Sequence, residues 1–231
     1  MTIPQKNNNS PPLAGSLRRA PRPELRSKAQ PRRGLGEGDK KGISYSMNLS
    51  FPFDRTYWVI PQKLLAGPYP GSHDPEEARR RLGALLQCGI RLVINLMDAN
   101  EIREANPPFL PYSETLTRLG EEMGIQVSSA RREILDQDFP SPEVMNAILD
   151  EMERSIAAGR PVYVHCWGGR GRTGTVVGCY LARQGLTGEE GLKKMDRLRQ
   201  SASNGHLPSP KTDEQRDFVR SWKNWDRRAL S

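Results

Sequence analysis

Residues Val162 to Thr175 read V-Y-V-H-C-W-G-G-R-G-R-T-G-T. The β-branched and aromatic run Pro161-Val162-Tyr163-Val164-His165 predicts a strand apolar on both faces, as strands of a covered parallel sheet are. A Gly-rich turn follows, and a helical pattern runs from about Arg172 to Arg183. Strand, tight loop and helix in this order put Cys166 at the carboxyl end of the strand, where α/β sheets form their sites. Cys166 and Arg172 close the two ends of the loop, with five residues between them, three of which are Gly.

The chemistry follows from that arrangement. Gly168, Gly169 and Gly171 let the backbone curl so that successive N–H groups converge on one point. The helix beginning near Arg172 adds the partial positive charge of its N-terminus. The expected product is an oxyanion cradle running from Trp167 through Gly168, Gly169, Arg170 and Gly171 to Arg172, with the Cys166 thiol at its floor. A phosphate monoester fits such a cradle. Positive surroundings favour the thiolate, the nucleophilic form of cysteine. The Arg172 fork can hold two phosphate oxygens and follow them as the phosphorus inverts. The Thr173 hydroxyl is placed to donate to the thiolate and ease its departure. His165 is read as orienting loop carbonyls, Arg170 as bordering the substrate, and Trp167 as packing behind the loop, since Trp is usually well buried. Cys179 and Cys88 are read as core. A reversible disulfide between either and Cys166 requires Cα atoms within about 7 Å.

Outward from this stretch the chain alternates strands and helices. Tyr57-Trp58-Val59-Ile60 and Leu64-Leu65-Ala66 predict short strands, and Ile90 to Leu96 a buried one. Asp74-Pro75-Glu76-Glu77 opens a helix with apolar face Ala78, Leu82, Leu85 and Leu86, ended by Gly89. Ser113 to Met123 predicts a helix and Ile125 to Ser128 a strand. Ser141-Pro142-Glu143 opens a further helix with Val144, Ile148, Met152 and Ile156 on one face. Thr187 and Glu190 form a capping box, and Ser209-Pro210 starts a last helix burying Phe218, Val219 and Trp222. The pattern predicts an α/β fold, a central and mostly parallel sheet flanked by helices on both faces.

The 231 residues carry a net charge of +8, but residues 1–45 hold ten Lys or Arg against three acids, or +7, leaving +1 for the remainder. That segment also holds six Pro and five Gly, so it is expected to be a disordered basic tail, with one domain over residues 46–231. Nucleic acid is thus an expected partner only through the tail. No apolar run approaches the roughly 20 residues of a membrane span, and the N-terminus lacks a signal-peptide stretch. Three Cys make neither a disulfide framework nor a zinc site. A monomer in the cytoplasm is the expectation.

His165-Cys166-x5-Arg172-Thr173, with Trp167-Gly168-Gly169 inside it, resembles the signature of cysteine-dependent protein tyrosine phosphatases. The likeness is to the dual-specificity branch, in particular a compact bacterial-type group similar to the kinase-associated phosphatases. It runs from about Tyr57 through Trp222 and implies the three-layer phosphatase fold and a two-step cysteinyl-phosphate mechanism with no metal or other cofactor. Such a mechanism needs a general acid on an upstream loop. Asp136 and Asp138 in Ile134-Leu135-Asp136-Gln137-Asp138-Phe139-Pro140 are the candidates. Asp136 matches the family's Ile-x-Asp-x-x-x-Pro spacing, and geometry must decide between them. Gln215 resembles a distal Gln that positions hydrolytic water in some relatives; a solvated helix Gln is the alternative. The implied substrate is phosphotyrosine on a protein, with phosphoserine and phosphothreonine open. A phosphoinositide or other small phosphate ester, suggested by Arg170 and the tail, is a second enzymatic reading. An RNA triphosphatase is disfavoured by the Asp136 loop, and a phosphate-binding pseudoenzyme by the presence of all the reacting residues.

Overall fold

The structure is a computed structural model that describes residues 51–226. The tail expected over residues 1–45 lies outside the described residues. The elements are β1 (Tyr57–Ile60), β2 (Leu64–Gly67), α1 (Pro75–Gln87), β3 (Leu92–Asn95), α2 (Glu101–Glu104), α3 (Ser113–Glu122), β4 (Ser128–Arg131), α4 (Pro142–Ala157), β5 (Val162–His165), α5 (Arg172–Arg183), α6 (Gly188–Arg199) and α7 (Asp213–Ser221). The strands form one sheet in the order β1-β2-β5-β3-β4. Only β1–β2 is antiparallel; β2–β5, β5–β3 and β3–β4 are parallel. The sheet is flanked by helices, as the alternation of elements predicts.

Burial explains the order. Every residue of β2, β3 and β5 is buried, as strands covered on both faces must be. Helices α4 to α7 pack together, with α4 and α5 against β5 and α6 against β1, while α1 and α3 pack on each other. Each fully buried Leu, Ile or Val adds about 1.5–3 kcal/mol. Helix starts follow the local sequence. Asp74 accepts from Glu76 N and Ser141 from Val144 N, each with Pro at the first helical position. Thr187 and Glu190 form the reciprocal box.

Four expectations are displaced. The strand placed at Ile125 to Ser128 pairs from Ser128 to Arg131, because Ile125 and Val127 pack against the core before the ladder with β3 begins. Val144 is exposed, and α4 buries Met145, Ile148, Leu149 and Met152 instead. The last helix starts at Asp213, not at Ser209-Pro210. Thr212 and Gln215 make a full capping box there, whereas the Ser209 hydroxyl donates to Arg170 O, 2.8 Å away. Cys88 caps the end of α1 and is half-buried, whereas Cys179 is fully buried, which pushes its thiol well above the usual range.

Candidate active site

The central strand fixes the site. Because β5 lies between β2 and β3 in parallel register, His165 faces Gly67 on one side and Asn95 on the other. The segments leaving all three strands therefore emerge together. Tyr69 N donates to Trp167 O (3.0 Å) from the β2 side, and Leu96 N donates to His165 O (2.9 Å) from the β3 side. These bonds clamp the start of the loop that carries Cys166. Of the loop glycines, only Gly169 has positive φ (+70°), and a Cβ there would collide with the backbone of Gly67 and Pro68. Gly168 has open space at the corresponding point. The conformational requirement thus rests on one glycine rather than on three.

The loop leaves its donors free. None of the backbone N–H groups from Trp167 to Thr173 has an acceptor among the described residues, and the first bonds of α5 run from Gly174 N to Arg170 O and from Thr175 N to Gly171 O. Arg172 has a side chain 1% exposed and pairs with both oxygens of Glu101, 21% exposed. Its guanidinium also donates to Ile134 O at 3.1 Å and lies 3.2 Å from Asp136. Burial opposes the charge on Arg172, but the Glu101 hydrogen bonds, Cys166 and Asp136 outweigh it and hold the guanidinium above its usual value. Two buried polar atoms at the start of α5, Arg172 Nε and Thr173 Oγ1, have no partner among the described residues. A tetrahedral oxyanion over the loop would meet the free N–H groups and the unpartnered Nε–H of Arg172.

Cys166, Trp167, Arg170, Arg172, Glu101 and Asp136 line one open cavity of about 590 Å³. Asp138 does not line it, and its Oδ1 instead accepts Phe139 N at 2.8 Å. Leu135 O accepts Asp138 N at 3.1 Å, closing a turn with Gln137 at φ 64° that presents Asp136 at its tip, 61% exposed. Of the two candidate acids, the one that lines the cavity is Asp136. Gln215 is not a solvated helix residue. It is fully buried, its Oε1 accepts Lys211 N and Thr212 N, and its Nε2 donates to Asp138 O at 2.8 Å. With Phe139 stacked on Phe218 at 4.8 Å, it ties the acid loop to α7.

His165 is fully buried, and this pushes its pKa down to about 3. Its Nδ1 lies 3.2 Å from Cys166 O, an acceptor only, so Nδ1 carries the proton and Nε2 accepts from Tyr112 Oη at 2.7 Å. This neutral tautomer holds the carbonyl of Cys166 in place. Trp167 does not pack behind the loop as expected. It is 38% exposed at the cavity rim, stacked on Tyr69 (5.9 Å) and edge-on to Phe109 (4.8 Å). Tyr69 and Tyr112 themselves are buried behind the loop. Glu101 and Tyr112 have no signal in sequence spacing. They lie 71 and 53 residues from their partners and meet them only through the parallel pairing of β3 with β5.

The fold and this constellation define a cysteine-dependent phosphatase. The chain belongs to the family described as the Swiss Army Knife protein, DSP-PTPase phosphatase domain, which it matches over residues 54–212, and so to a class of phosphoric monoester hydrolases. It resembles the crystal structure of Tk-PTP in its active form, with a TM-score of 0.56, 25% identity, and coverage of 74% of this chain and 97% of that one. The kinase associated phosphatase shares the fold, with a TM-score of 0.58 at 18% identity over 78% of this chain and 96% of that one. Effector protein hopD2 of Pseudomonas syringae pv. tomato is 32% identical over 88 residues, covering 36% of this chain and 19% of that protein. The chain thus matches about a fifth of the length of that curated relative.

Proposed function

We propose that the protein hydrolyses phosphomonoesters on proteins, phosphotyrosine first and phosphoserine or phosphothreonine where the pocket admits them. The observation that carries this reading is the convergence of Cys166, Arg172 and Asp136 on one cavity above free backbone N–H groups. Cys166 Sγ attacks phosphorus, and the bond from phosphorus to the leaving oxygen breaks as Asp136 gives that oxygen its proton. Water then attacks the cysteinyl phosphate, Asp136 takes back a proton, and the thiolate leaves. Arg172 and the loop N–H groups hold the equatorial oxygens throughout. Thr173 is the donor toward the departing sulfur, its hydroxyl being buried and unpartnered. Gln215 acts by holding the acid loop. A nucleophilic thiol needs a reducing compartment, the cytoplasm in the simplest case, and the protein works there as a monomer without cofactor. No helix among the described residues is long and apolar enough to cross a membrane.

Turnover of p-nitrophenyl phosphate tests the reading. Activity should survive EDTA, stop with vanadate and vanish in Cys166→Ser, while that variant still binds substrate. Turnover by Cys166→Ser at the wild-type rate would refute the covalent mechanism.

A further inference from the structure

The cavity holds cations besides the one that the Cys166 loop itself supplies in Arg172. Besides Arg172 it is lined by Arg55, Arg170 and Lys211, and its carboxylates are Glu101 and Asp136. Both of those pair with Arg172. Arg170 and Lys211 have no ion pair among the described residues, and Arg55 has only a long contact to Asp54, 3.8 Å between exposed groups. Like charges without close carboxylate partners of their own repel one another, a repulsion that an anion between them would relieve.

Arg55 is placed there at some cost. Its φ is 64°, a region that non-Gly residues rarely occupy and that clusters at functional sites. The neighbouring Asp54 fixes it from across the chain, accepting Ser203 N (3.2 Å), Ser203 Oγ (2.5 Å) and Arg55 N (2.8 Å). Lys211 is held from the other side through its backbone N–H on Gln215. The cavity, at about 590 Å³, has the volume of a small-molecule site. An anion among these cations therefore shares one cavity with Cys166.

We infer that Arg55, Arg170 and Lys211 form a second phosphate subsite in the catalytic cavity, so that the protein also hydrolyses compact bisphosphates, two phosphate groups on one short polyol or diol scaffold. One phosphate lies over Cys166 and is cleaved; the other stays uncleaved among the three cations. This rests on the phosphatase reading above and extends it beyond phosphoproteins.

The test compares alkanediol bisphosphates of two to six carbons with the matching alkyl monophosphates, whose leaving groups are alike. The expected kcat/KM ratio is tenfold or more at one chain length, shrinking as salt is raised. In the double variant Arg55→Ala, Lys211→Ala the ratio should fall to about one. A wild-type ratio near one, or a ratio unchanged in the double variant, overturns the subsite. So does a preference shown only by a doubly phosphorylated peptide, which would mean that the cations read a protein chain. Calorimetric binding of the same compounds to Cys166→Ser gives the ratio without turnover, and Arg55→Gln serves if the double variant does not fold. Absence of any p-nitrophenyl phosphate hydrolysis would instead strike at the phosphatase reading, while the binding ratio still decides the subsite.

Discussion

Arg172 carries its charge inside the protein, and Glu101 makes that tolerable. Breaking a buried ion pair by neutralising one partner costs about 3–5 kcal/mol, because the other charge is left desolvated. Glu101→Gln should therefore lower the melting temperature and reduce kcat/KM together, as read by thermal unfolding and aryl phosphate turnover. Arg172→Lys keeps the charge and loses the fork, so kcat should fall at least a hundredfold with a much smaller change in stability. Asp136→Asn should remove the basic limb of the pH–rate profile, where the general acid has lost its proton. Its effect should be large for alkyl phosphates and small for p-nitrophenyl phosphate, and Asp138→Asn should show neither. The sequence could name Cys166 and Arg172 because one tight loop fixes their chemistry. It could only narrow the acid to two residues, because which of them faces the cavity depends on a turn with Gln137 in the left-handed region. Glu101 is illegible in the sequence, since a lone carboxylate opening a four-residue helix says nothing until the sheet order brings it beside Arg172.

At the scale of elements, α7 holds what it does not touch chemically. Gln215 bonds the acid loop at Asp138 O, and Phe218 stacks on Phe139 of the same loop. Gln215→Ala should thus mimic a weakened general acid, lowering kcat for alkyl phosphates about tenfold more than for p-nitrophenyl phosphate. A water-orienting role would show the reverse, a slowed second step with every leaving group. Strong local signals made most elements readable: Asp74-Pro75, Ser141-Pro142 and Thr187 with Glu190 each cap the helix they announce. Elements lacking such signals were misplaced or missed. Strand β4 is polar and mostly exposed, so the strand expected at Ile125 to Ser128 follows the apolar approach rather than the ladder itself. Helix α2 has four residues, too few to show a period. Helix α7 starts after the expected Ser209-Pro210, because the reciprocal box of Thr212 and Gln215 satisfies two backbone donors there.

For the whole molecule, acid stability turns on His165. Its pKa is near 3 when folded and about 6.5 in an unfolded chain, so between these values the unfolded state binds the extra proton. Stability present above about pH 6.5 should be lost progressively as pH falls toward 3, and His165→Asn should flatten that slope in denaturant titrations. Residues 1–45 carry +7 of the net charge, yet every residue placed at the site lies between Arg55 and Gln215. A protein lacking that segment should keep kcat/KM for small aryl phosphates; a drop beyond about tenfold, 1.4 kcal/mol, would mean that the tail contributes to the site. The order in which these parts leave the ribosome has its own consequence. Glu101 and Asp136 emerge first, then the thiol and guanidinium, and last Gln215 and Phe218, which hold the acid loop. A nascent chain stopped after α6 already contains Cys166, Arg172 and Asp136, but not the helix that bonds the Asp136 loop. Frameshifts or stop codons between α6 and α7 should therefore lower turnover although they spare Cys166, Arg172 and Asp136, because they remove Gln215 and the buried Phe218, Val219 and Trp222.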